Sequence, residues 1–404
     1  MTEESRDVLL VLNAGSSGIK FSLYHMDYDS LSGPQCLGGG SFNVLHDTEH
    51  LIFRRSGVQM QNEEQWPRTV ASLPSGTLFN LLDWIEHHYG WQICSVAHRV
   101  VHGGDRIEVA QRVDDQVIAQ IQALIPMAPL HQVQCLAPII YLASEHPSLP
   151  QFACFDTAFH HTLDPLEATY GLPRALTEEG LRHYGFHGLS YEYIASVLPS
   201  YDKQAAEGRT IVAHLGSGAS LCAMHNGISR ATSMGFSTLD GLLMGTRPGH
   251  LDPGLLLYLM RERGMSAKAI EYLLYHECGL LGVSGGISSD MRELHASKAP
   301  EAKEAIALFI RSVVRGIGAM AAVLGGVDAL VFTGGIGEHA AEVRNEILDG
   351  CRWLGVHCED KQNVDSSGCL SMPGSSVSAW LIPTDENLLM ARHVFKASMI
   401  KTCH

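Results

Sequence analysis

Two distant segments carry the same pattern, a turn of small residues between two apolar runs. Val8–Leu23 reads VLLVLNAGSSGIKFSL, and Thr210–Gly227 reads TIVAHLGSGASLCAMHNG. Apolar runs on either side of a glycine- and serine-rich turn predict a β-hairpin. Because the hairpin recurs in the second half of the chain, we expect two copies of one α/β unit.

A second pair of segments points to the same duplication. Phe152–Thr162 (FACFDTAFHHT) and Ala329–His339 (ALVFTGGIGEH) each read as a short buried strand that ends in a polar or glycine-rich turn. We expect them to hold equivalent places in the two copies. Ala299–Leu324 has helical apolar spacing with Pro300 at its start, and a glycine pair separates it from the next strand. Helix, glycine break and buried strand together indicate a parallel-sheet unit.

The copies predict two domains that enclose a central cleft, since no low-complexity linker separates them. We place the N-terminal domain at residues 1–157 and the C-terminal domain at 158–387, with a final helix, 388–404, that returns to the first domain. A chain of 404 residues with 46% hydrophobic residues has enough apolar material for two cores.

Composition narrows the classes of partner. The formal net charge of -15 excludes a general role on nucleic acid or on an anionic membrane, which both require a basic surface. The start of the chain, MTEESRDV, lacks the order of a signal peptide, and the apolar stretch Gly316–Val327 is too short to cross a bilayer. The ten cysteines form no C-x-x-C pair, which is typical of reduced thiols in the cytoplasm.

The small-residue turns suit phosphate binding. A turn without large side chains lets backbone N–H groups approach an anion, and serine hydroxyls add donors. One such turn is more often an ordinary hairpin, but two of them together with Gly334–Gly337 between a strand and a helix favour a nucleotide site. The chain has no G-x-x-x-x-G-K-[ST], so it is not a P-loop protein. Lys20 either offers a cation to phosphate oxygens or extends into solvent from a strand.

Four basic side chains stand in segments that are rich in glycine or proline. They are Arg99 in AHRVVHGGDR, Arg247 in MGTRPGHLDPG, His131 in APLHQVQC and His187 in HYGFHGLSYEY. Arginine clamps anions with a two-pronged hydrogen-bond donor, and histidine can donate to a developing oxyanion. Each of these residues taken alone is more often structural.

Two carboxylates are candidates for holding Mg²⁺ or a water molecule. Asp156 ends a predicted strand, and Glu386 lies in IPTDENLLMAR. Carboxylate oxygens are ligands that Mg²⁺ accepts. Either acid could equally be a turn or helix cap, and Asp385–Glu386 in particular could simply open the helix that follows.

Nine motifs in order give the chain a family resemblance. They are NAGSSGIK, HRVVHGG, APLH, FDTAFH, YGFHG, AHLGSG, MGTRPGHLDP, FTGGIGE and PTDEN. The chain resembles the acetokinase family of short-chain acyl kinases, which includes the acetate kinases, over almost its whole length. The resemblance implies the duplicated actin-like, sugar-kinase and Hsp70-type ATPase fold. It also implies reversible, ATP-dependent phosphorylation of acetate to acetyl phosphate by direct in-line transfer, with Mg²⁺, or Mn²⁺ in its place, and a homodimer.

The resemblance also assigns roles by motif position. The catalytic centre would comprise Arg99, His131, Asp156, His187 and Arg247. Metal binding would fall to Asn13 and Glu386, and the acetate methyl would contact Val101, Leu130 and Phe186. Phosphate and nucleotide would contact Ser16, Ser17, Lys20, His214, Leu215, Gly216, Ser217, Gly218, Asp290, Met291, Arg292, Gly334, Gly335, Ile336, Gly337 and Glu338.

Several positions depart from the family pattern. Gly18 stands where the family usually has a serine, Ser217 where it has an asparagine, and Thr238 where it has a proline. HGLSY replaces HGTSH, which introduces Leu189 and Tyr191. Ser217 leaves pyrophosphate open as an alternative phosphoryl donor, and Thr238 leaves propionate open as an alternative substrate.

A non-catalytic nucleotide switch of the actin or Hsp70 type is the alternative outside this class. Such a switch needs the phosphate turns, but it has no use for Arg99, Arg247 and His187 together. The joint presence of these three residues favours the kinase.

Overall fold

A computed structural model of the chain describes residues 6–15, 18–27, 33–45, 48–56, 68–69, 74–105, 107, 110–358 and 368–402. The chain divides into two compact units. The first comprises Met1–Ala158 and Asp385–His404, and the second comprises Phe159–Thr384. The domain ends expected from the sequence, 157 and 387, stay a prediction.

The first unit contains an eight-stranded mixed sheet, three helices from the N-terminal segment and the C-terminal helix Glu386–Thr402. Its strands are β1 (Asp7–Gly15), β2 (Gly18–His25), β3 (Gln35–Leu45), β4 (Thr48–Arg55), β5 (Arg68–Thr69), β6 (Gln92–Val100), β7 (Gln111–Arg112) and β8 (Gln151–Phe155). Its other helices are α1 (Pro74–Tyr89), α2 (Asp115–Ala123) and α3 (Pro129–Glu145).

The first sheet has the strand order β5-β4-β3-β2-β1-β6-β8-β7. The chain enters through the antiparallel strands β1, β2 and β3, and Asn13 is paired with Lys20. On its other side β1 pairs in parallel with β6, which pairs in parallel with β8. The carboxyl ends of the three parallel strands therefore meet at one edge of the sheet.

Helices cover this sheet by burying their apolar faces. The core joins Val8, Leu10 and Leu12 of β1 to Leu81 and Ile85 of α1. Helix α2 begins at an N-cap, Asp114, whose carboxylate accepts from the Val117 N–H at 2.8 Å. The C-terminal helix packs on β1, β6 and β8.

The second unit contains a six-stranded sheet with the remaining helices. Its strands are β9 (Arg209–Leu215), β10 (Ala219–His225), β11 (Ile228–Thr232), β12 (Ala329–Thr333), β13 (Gly368–Cys369) and β14 (Ser378–Leu381). Its helices are α4 (Arg174–Glu178), α5 (Gly188–Tyr201), α6 (Lys203–Glu207), α7 (Pro253–Glu262), α8 (Ala267–Tyr272), α9 (Gly279–Val283), α10 (Met291–Ala296), α11 (Pro300–Leu324), α12 (Gly334–His339) and α13 (Ala341–Gly350).

The two sheets share one topology. The second sheet has the order β11-β10-β9-β12-β14-β13, which matches β3-β2-β1-β6-β8-β7 strand for strand. The matching pairs also agree in direction: three antiparallel strands, then two parallel ones, then an antiparallel edge. The predicted duplicated α/β fold is confirmed.

One detail of the predicted repeat is wrong. The sequence paired the segment of β8 with that of β12, but β12 lies next to β9 as β6 lies next to β1, and the equivalent of β8 is β14. Both β8 and β12 are buried at every position. Burial of this kind is typical of parallel strands that are covered on both faces, so it does not indicate a strand's place in the sheet.

Helix α11 is long and apolar enough to span a membrane by length and composition, with a mean hydropathy of 1.7. It nevertheless packs on β10, α9 and α13. Its buried residues include Ile306, Phe309, Val313 and Ile317, which recur at helical spacing. We therefore interpret α11 as a core helix of the second unit.

Candidate active site

The first unit gathers three predicted site residues around the guanidinium of a fourth, Arg99. Arg99 lies at the end of β6, and Asp156 directly follows the neighbouring parallel strand β8. Arg99 Nε donates to Asp156 Oδ1 at 3.0 Å, and Nη2 donates to Oδ2 at 2.6 Å. Nη1 lies 3.3 Å from Asn13 Oδ1 and 3.7 Å from Glu386 Oε2.

The Arg99–Asp156 pair is a partly buried, two-pronged ion pair. The Asp156 side chain is 2% exposed and that of Arg99 is 21% exposed. Burial alone would lower the pKa of Arg99, but the Asp156 and Glu386 carboxylates outweigh it and raise that pKa. Since both oxygens of Asp156 accept from Arg99, we interpret Asp156 as the group that fixes the arginine.

The Asn13 and Glu386 oxygens have the chemistry of a magnesium site. Among the described residues no group of three or more His, Cys, Asp and Glu side chains could hold a metal. Mg²⁺ bound mainly through phosphate and water needs only one or two protein oxygens, so this sparse set fits. Asp385 has a different task, because its carboxylate accepts from the Leu388 N–H at 2.8 Å and caps the C-terminal helix.

The other predicted site residues of the first unit that the structure describes differ in their exposure to solvent. Lys20 is exposed and lies on the same face of the sheet as its cross-strand partner Asn13. Val101 and His131 are partly buried, whereas Leu130 is exposed. Ser16 and Ser17 lie outside the described residues.

The second unit places His187 at a strained backbone position. His187 is the N-cap of α5 and has φ 58°, in the left-handed region that non-glycine residues seldom occupy. The preceding residue, Phe186, is buried, and its carbonyl accepts from His160 Nε2 at 3.1 Å. His160 also bonds Ser229 Oγ through Nδ1 at 2.8 Å. Burial lowers the pKa of His160 to about 4, so it is a neutral support for this turn.

Two imidazoles lie stacked beside the second hairpin. The ring centroids of His187 and His214 are 4.3 Å apart. His187 Nδ1 bonds Ser220 Oγ at 2.8 Å, and His214 Nδ1 bonds Ser190 Oγ at 2.8 Å.

Arg247 and His187 converge at Gly218. A Cβ added to Gly218 would lie 2.7 Å from Arg247 Nη2 and 3.3 Å from His187 Nε2. Arg247 Nη1 donates to the Thr238 carbonyl at 2.7 Å, and burial lowers the pKa of Arg247. No carboxylate among the described residues forms an ion pair with it. A partly buried guanidinium beside an imidazole nitrogen is a site for an anion.

A cavity of about 710 Å³ lies beside the glycine turns. Strands β9 and β12 are parallel neighbours, so the turns that follow them meet, and a Cβ on Gly216 would lie 3.9 Å from the Gly335 nitrogen. The cavity is lined by Gly216, Ser217, Ser289, Asp290, Met291, Arg292, His295, Gly335, Ile336, His339, Ala340, Ala341 and Glu342. Arg292 hydrogen-bonds Asp290 and holds its pKa at about 2.

Seven predicted nucleotide residues line this cavity, and six of the second unit do not: His214, Leu215, Gly218, Gly334, Gly337 and Glu338. Leu215 is a core residue. The Glu338 carboxylate accepts from the N–H groups of Gly334 and Thr384 at 2.9 and 3.3 Å, and so braces the turn after β12.

Two groups of site residues were not predicted from the sequence. The first group lines the cavity, and the second forms hydrogen bonds that orient His187. His295 lies one helical turn after Met291, and this spacing could have identified it. Glu342 contacts His295 at 3.2 Å and carried no signal of its own. Ser220 and Tyr191 belong to quoted segments, but only tertiary structure shows them reaching His187.

Comparisons with known proteins identify the family of the chain. The model of the acetokinase family matches residues 8–392. Acetate kinases of Rhodopseudomonas palustris (strain ATCC BAA-98 / CGA009) and Nitrobacter hamburgensis are 51% and 43% identical over 96% of this chain, and the matches cover 98% and 95% of the relatives.

Solved structures agree as well. Porphyromonas gingivalis acetate kinase has a TM-score of 0.84 at 32% identity, covering 98% of this chain and 100% of that chain. A propionate kinase from Francisella tularensis subsp. tularensis SCHU S4 has a TM-score of 0.86 at 33% identity, covering 96% and 98%. The chain belongs to the acetokinase family.

Proposed function

We propose that the protein is a kinase that transfers the terminal phosphoryl group of ATP to acetate, giving ADP and acetyl phosphate in a reversible reaction. The observation that carries the proposal is the partly buried Arg247 guanidinium, which has no carboxylate partner among the described residues and meets His187 Nε2 at Gly218. The acetate kinases that are 51% and 43% identical to the chain support acetate as the acceptor.

To catalyse this reaction, the protein must stabilise negative charge on the phosphoryl oxygens and align acetate with the phosphorus atom. Acetate is ionised at neutral pH, so no general base is needed to create the nucleophile. A carboxylate oxygen forms a bond to phosphorus while the bond from phosphorus to the ADP oxygen breaks, roughly in line. Arg247 and His187 donate to the transferring group's oxygens, and Arg99, held by Asp156, supplies a second guanidinium. Removing one such donor typically costs about 3–4 kcal/mol of transition-state stabilisation.

The cavity of the second unit supports ATP as the phosphoryl donor. Its walls combine backbone N–H groups of glycine turns with the apolar side chains of Met291 and Ile336. Pyrophosphate has no base or ribose to occupy such a wall. We therefore assign Ser217, which lines the cavity, to ATP rather than to pyrophosphate.

Mg²⁺ belongs to the proposal through the oxygens of Asn13 and Glu386. When bound, it supplies positive charge to the phosphate oxygens as a Lewis acid. Arg99 Nη1, between these two oxygens, keeps them on one side of the guanidinium.

The experiment is a substrate panel. Acyl phosphate is trapped as the hydroxamate with acetate, propionate or butyrate, each with ATP or pyrophosphate. The highest kcat/KM is expected for acetate with ATP. A preference for propionate would assign Thr238 a widening role, worth about 1–3 kcal/mol for one methylene. No turnover with any pair, in folded protein, would refute the proposal.

We further propose a homodimer that forms through α7. No residue of α7 is buried, even though the helix carries large apolar side chains. Leu255, Leu257 and Tyr258 are 45–53% exposed, and Tyr272 at the end of α8 is 59% exposed. Exposed apolar groups in such density mark an interaction surface. Leu257→Glu is expected to convert a dimer into a monomer in sedimentation velocity, whereas Leu166→Glu, at an isolated exposed site, is expected to stay dimeric.

We assign the enzyme to the cytoplasm. Nine cysteines lie among the described residues, and all nine are free thiols. Free thiols in this number suit a reducing compartment. Fractionation of cells with an antibody to the protein would test the assignment, and recovery in an oxidising compartment would contradict it.

A further inference from the structure

A chain of three polar side chains leads from the core of the second unit to His187. Tyr191 Oη lies 2.5 Å from Ser220 Oγ, and Ser220 Oγ lies 2.8 Å from His187 Nδ1. Tyr191 stands on the first turn of α5, and Ser220 stands on β10. Both are fully buried, so water cannot replace a missing partner.

The Tyr191 end fixes the direction of the first hydrogen bond. Burial raises the pKa of Tyr191 well above 10, so the phenol keeps its proton. Among the described residues Tyr191 Oη forms a hydrogen bond only with Ser220 Oγ. A buried O–H without an acceptor is destabilising, because it has lost its hydrogen bonds to water. Tyr191 therefore donates to Ser220.

The direction of the second hydrogen bond follows from the first. Ser220 has one proton, and its described partners are Tyr191 Oη and His187 Nδ1. Since Tyr191 already donates to it, Ser220 satisfies its own proton only by donating to His187 Nδ1. An imidazole that accepts at Nδ1 carries its proton on Nε2 in the neutral form.

We propose that Tyr191 is a positioning residue, which acts through Ser220 to hold His187 in the Nε2–H tautomer. Nε2 is the nitrogen that faces Gly218 and the Arg247 guanidinium. His187 thus presents a donor, not a lone pair, where the transferring phosphoryl oxygens would lie. The proposal deepens the proposed function, on which its kinetic part rests.

The backbone around His187 explains why such a device is useful. The left-handed φ of 58° sets the direction of the side chain, and the carbonyl of Phe186 is tied to His160. These restraints fix where the ring lies, but the two tautomers have the same shape. Only a hydrogen-bond partner of defined direction can choose between them.

The direct test is the tautomer of His187 by ¹⁵N NMR. Protein labelled at the histidine ring nitrogens is recorded near neutral pH, and the His187 signals are identified by their loss in His187→Gln. A protonated Nε2 and a bare Nδ1 are expected. The opposite pattern, with the proton on Nδ1, would overturn the proposal. This measurement needs no turnover, so it stands even if the substrate panel fails.

The kinetic test uses Tyr191→Phe, which keeps the ring and removes the donor. Ser220 is then free to accept from Nδ1–H, so the NMR pattern is expected to become mixed. We expect kcat to fall about 10-fold, while KM for ATP and acetate changes less than about twofold. Tyr201→Phe, near the end of the same helix, is the matched control and is expected to behave as wild type.

Two outcomes separate positioning from a purely structural role. Ser220→Ala removes the direct donor to Nδ1 and is expected to lower kcat further than Tyr191→Phe. Ser220→Thr, which retains a hydroxyl, is expected to restore most of kcat. A lowered melting temperature in Tyr191→Phe with wild-type kcat and an unchanged His187 pattern would overturn the proposal.

Discussion

Arg99 and Arg247 carry the same functional group in opposite electrostatic settings. In the first unit, Arg99 is gripped by both oxygens of Asp156, with Glu386 nearby, and its pKa is raised. In the second unit, Arg247 is partly buried, it donates to the Thr238 carbonyl and lies near the Tyr275 phenol, and its pKa is lowered by burial. The charge of Arg99 is neutralised by a carboxylate, whereas the charge of Arg247 has no carboxylate counter-ion among the described residues.

This difference indicates that the two arginines have different tasks, although the same role of holding anions was predicted for both from the sequence. A guanidinium that is paired with a carboxylate has a fixed orientation, but a second anion stabilises it less. A partly buried guanidinium without a counter-ion is stabilised most by the binding of an anion, because the anion also offsets the desolvation penalty of the charge. We therefore expect Arg247 to contribute mainly to catalysis and Arg99 to contribute to both stability and catalysis.

The largest expected effect is on turnover in Arg247→Ala. Loss of this donor is expected to lower kcat about 10³-fold, on the order of 4 kcal/mol. Stability should change by no more than about 1 kcal/mol, since removal of a partly buried charge without a counter-ion offsets the lost hydrogen bond to Thr238. Arg247 does not line the cavity, so nucleotide affinity by calorimetry should persist. The exposed Arg311→Ala is the control, and near-normal turnover in Arg247→Ala would refute the assignment.

The second effect is on stability in Arg99→Ala. This change leaves the Asp156 carboxylate, which is 2% exposed, without its counter-ion. We expect a loss of about 3 kcal/mol in the free energy of unfolding, measured by denaturant titration. Asp156→Asn combined with Arg99→Ala should recover much of that loss in a double-mutant cycle. If Arg99→Ala and Arg247→Ala destabilise equally, the contrast between the two arginines is wrong.

The sequence predicted the repeated hairpin and the phosphate turns because local patterns encode both. The apolar runs on either side of Gly15–Gly18 and Gly216–Gly218 are formed by residues that are close to the turn in the sequence. The same local burial misled the pairing of β8 with β12, because a short apolar run does not report which strands flank it.

The candidate site was only partly predictable for a related reason. Motif positions identified Arg99, His187 and Arg247, but they did not reveal that Asp156 would hold Arg99, whereas Arg247 has no carboxylate partner among the described residues. Nor did they reveal Tyr191 and Ser220, whose contact with His187 joins a helix to a strand. Such contacts are set by packing, which periodicity and spacing do not encode.

A third, smaller effect compares buried neutral histidines in the two units. Burial lowers the pKa of His98 in the first unit and of His160 in the second to about 4, against 6.5 for an unburied imidazole. The unfolded chain therefore binds more protons between these values. The stability from each neutral imidazole is fully present above pH 6.5 and is lost as the pH falls towards 4.

Denaturant titration at about pH 7.5 and about pH 5 is expected to show a loss of about 2 kcal/mol for each such histidine. His160→Gln should reduce the acid-induced loss, and His98→Gln should do so by a similar amount. His87→Gln, at an exposed position on α1, should leave it unchanged. An acid-induced loss that is identical in all three variants would show that neither buried histidine carries it.

The smallest effect tests the convergence at Gly218. In Gly218→Ala the new methyl group would lie 2.7 Å from Arg247 Nη2 and 3.3 Å from His187 Nε2. Both contacts are with side-chain atoms that can shift by a few tenths of an ångström. The fold should therefore tolerate the change, while the displaced guanidinium lowers kcat about 10-fold, or about 1.4 kcal/mol.

Gly318→Ala is the matched control for Gly218→Ala. A Cβ on Gly318 would meet only Trp353 at an ordinary 3.7 Å, and alanine in a helix is favoured over glycine by up to about 1 kcal/mol. This variant should keep its kcat and gain stability. If Gly218→Ala also keeps its kcat, Arg247 and His187 do not act at a common point, and the Arg247 guanidinium must be assigned a role away from the hairpin.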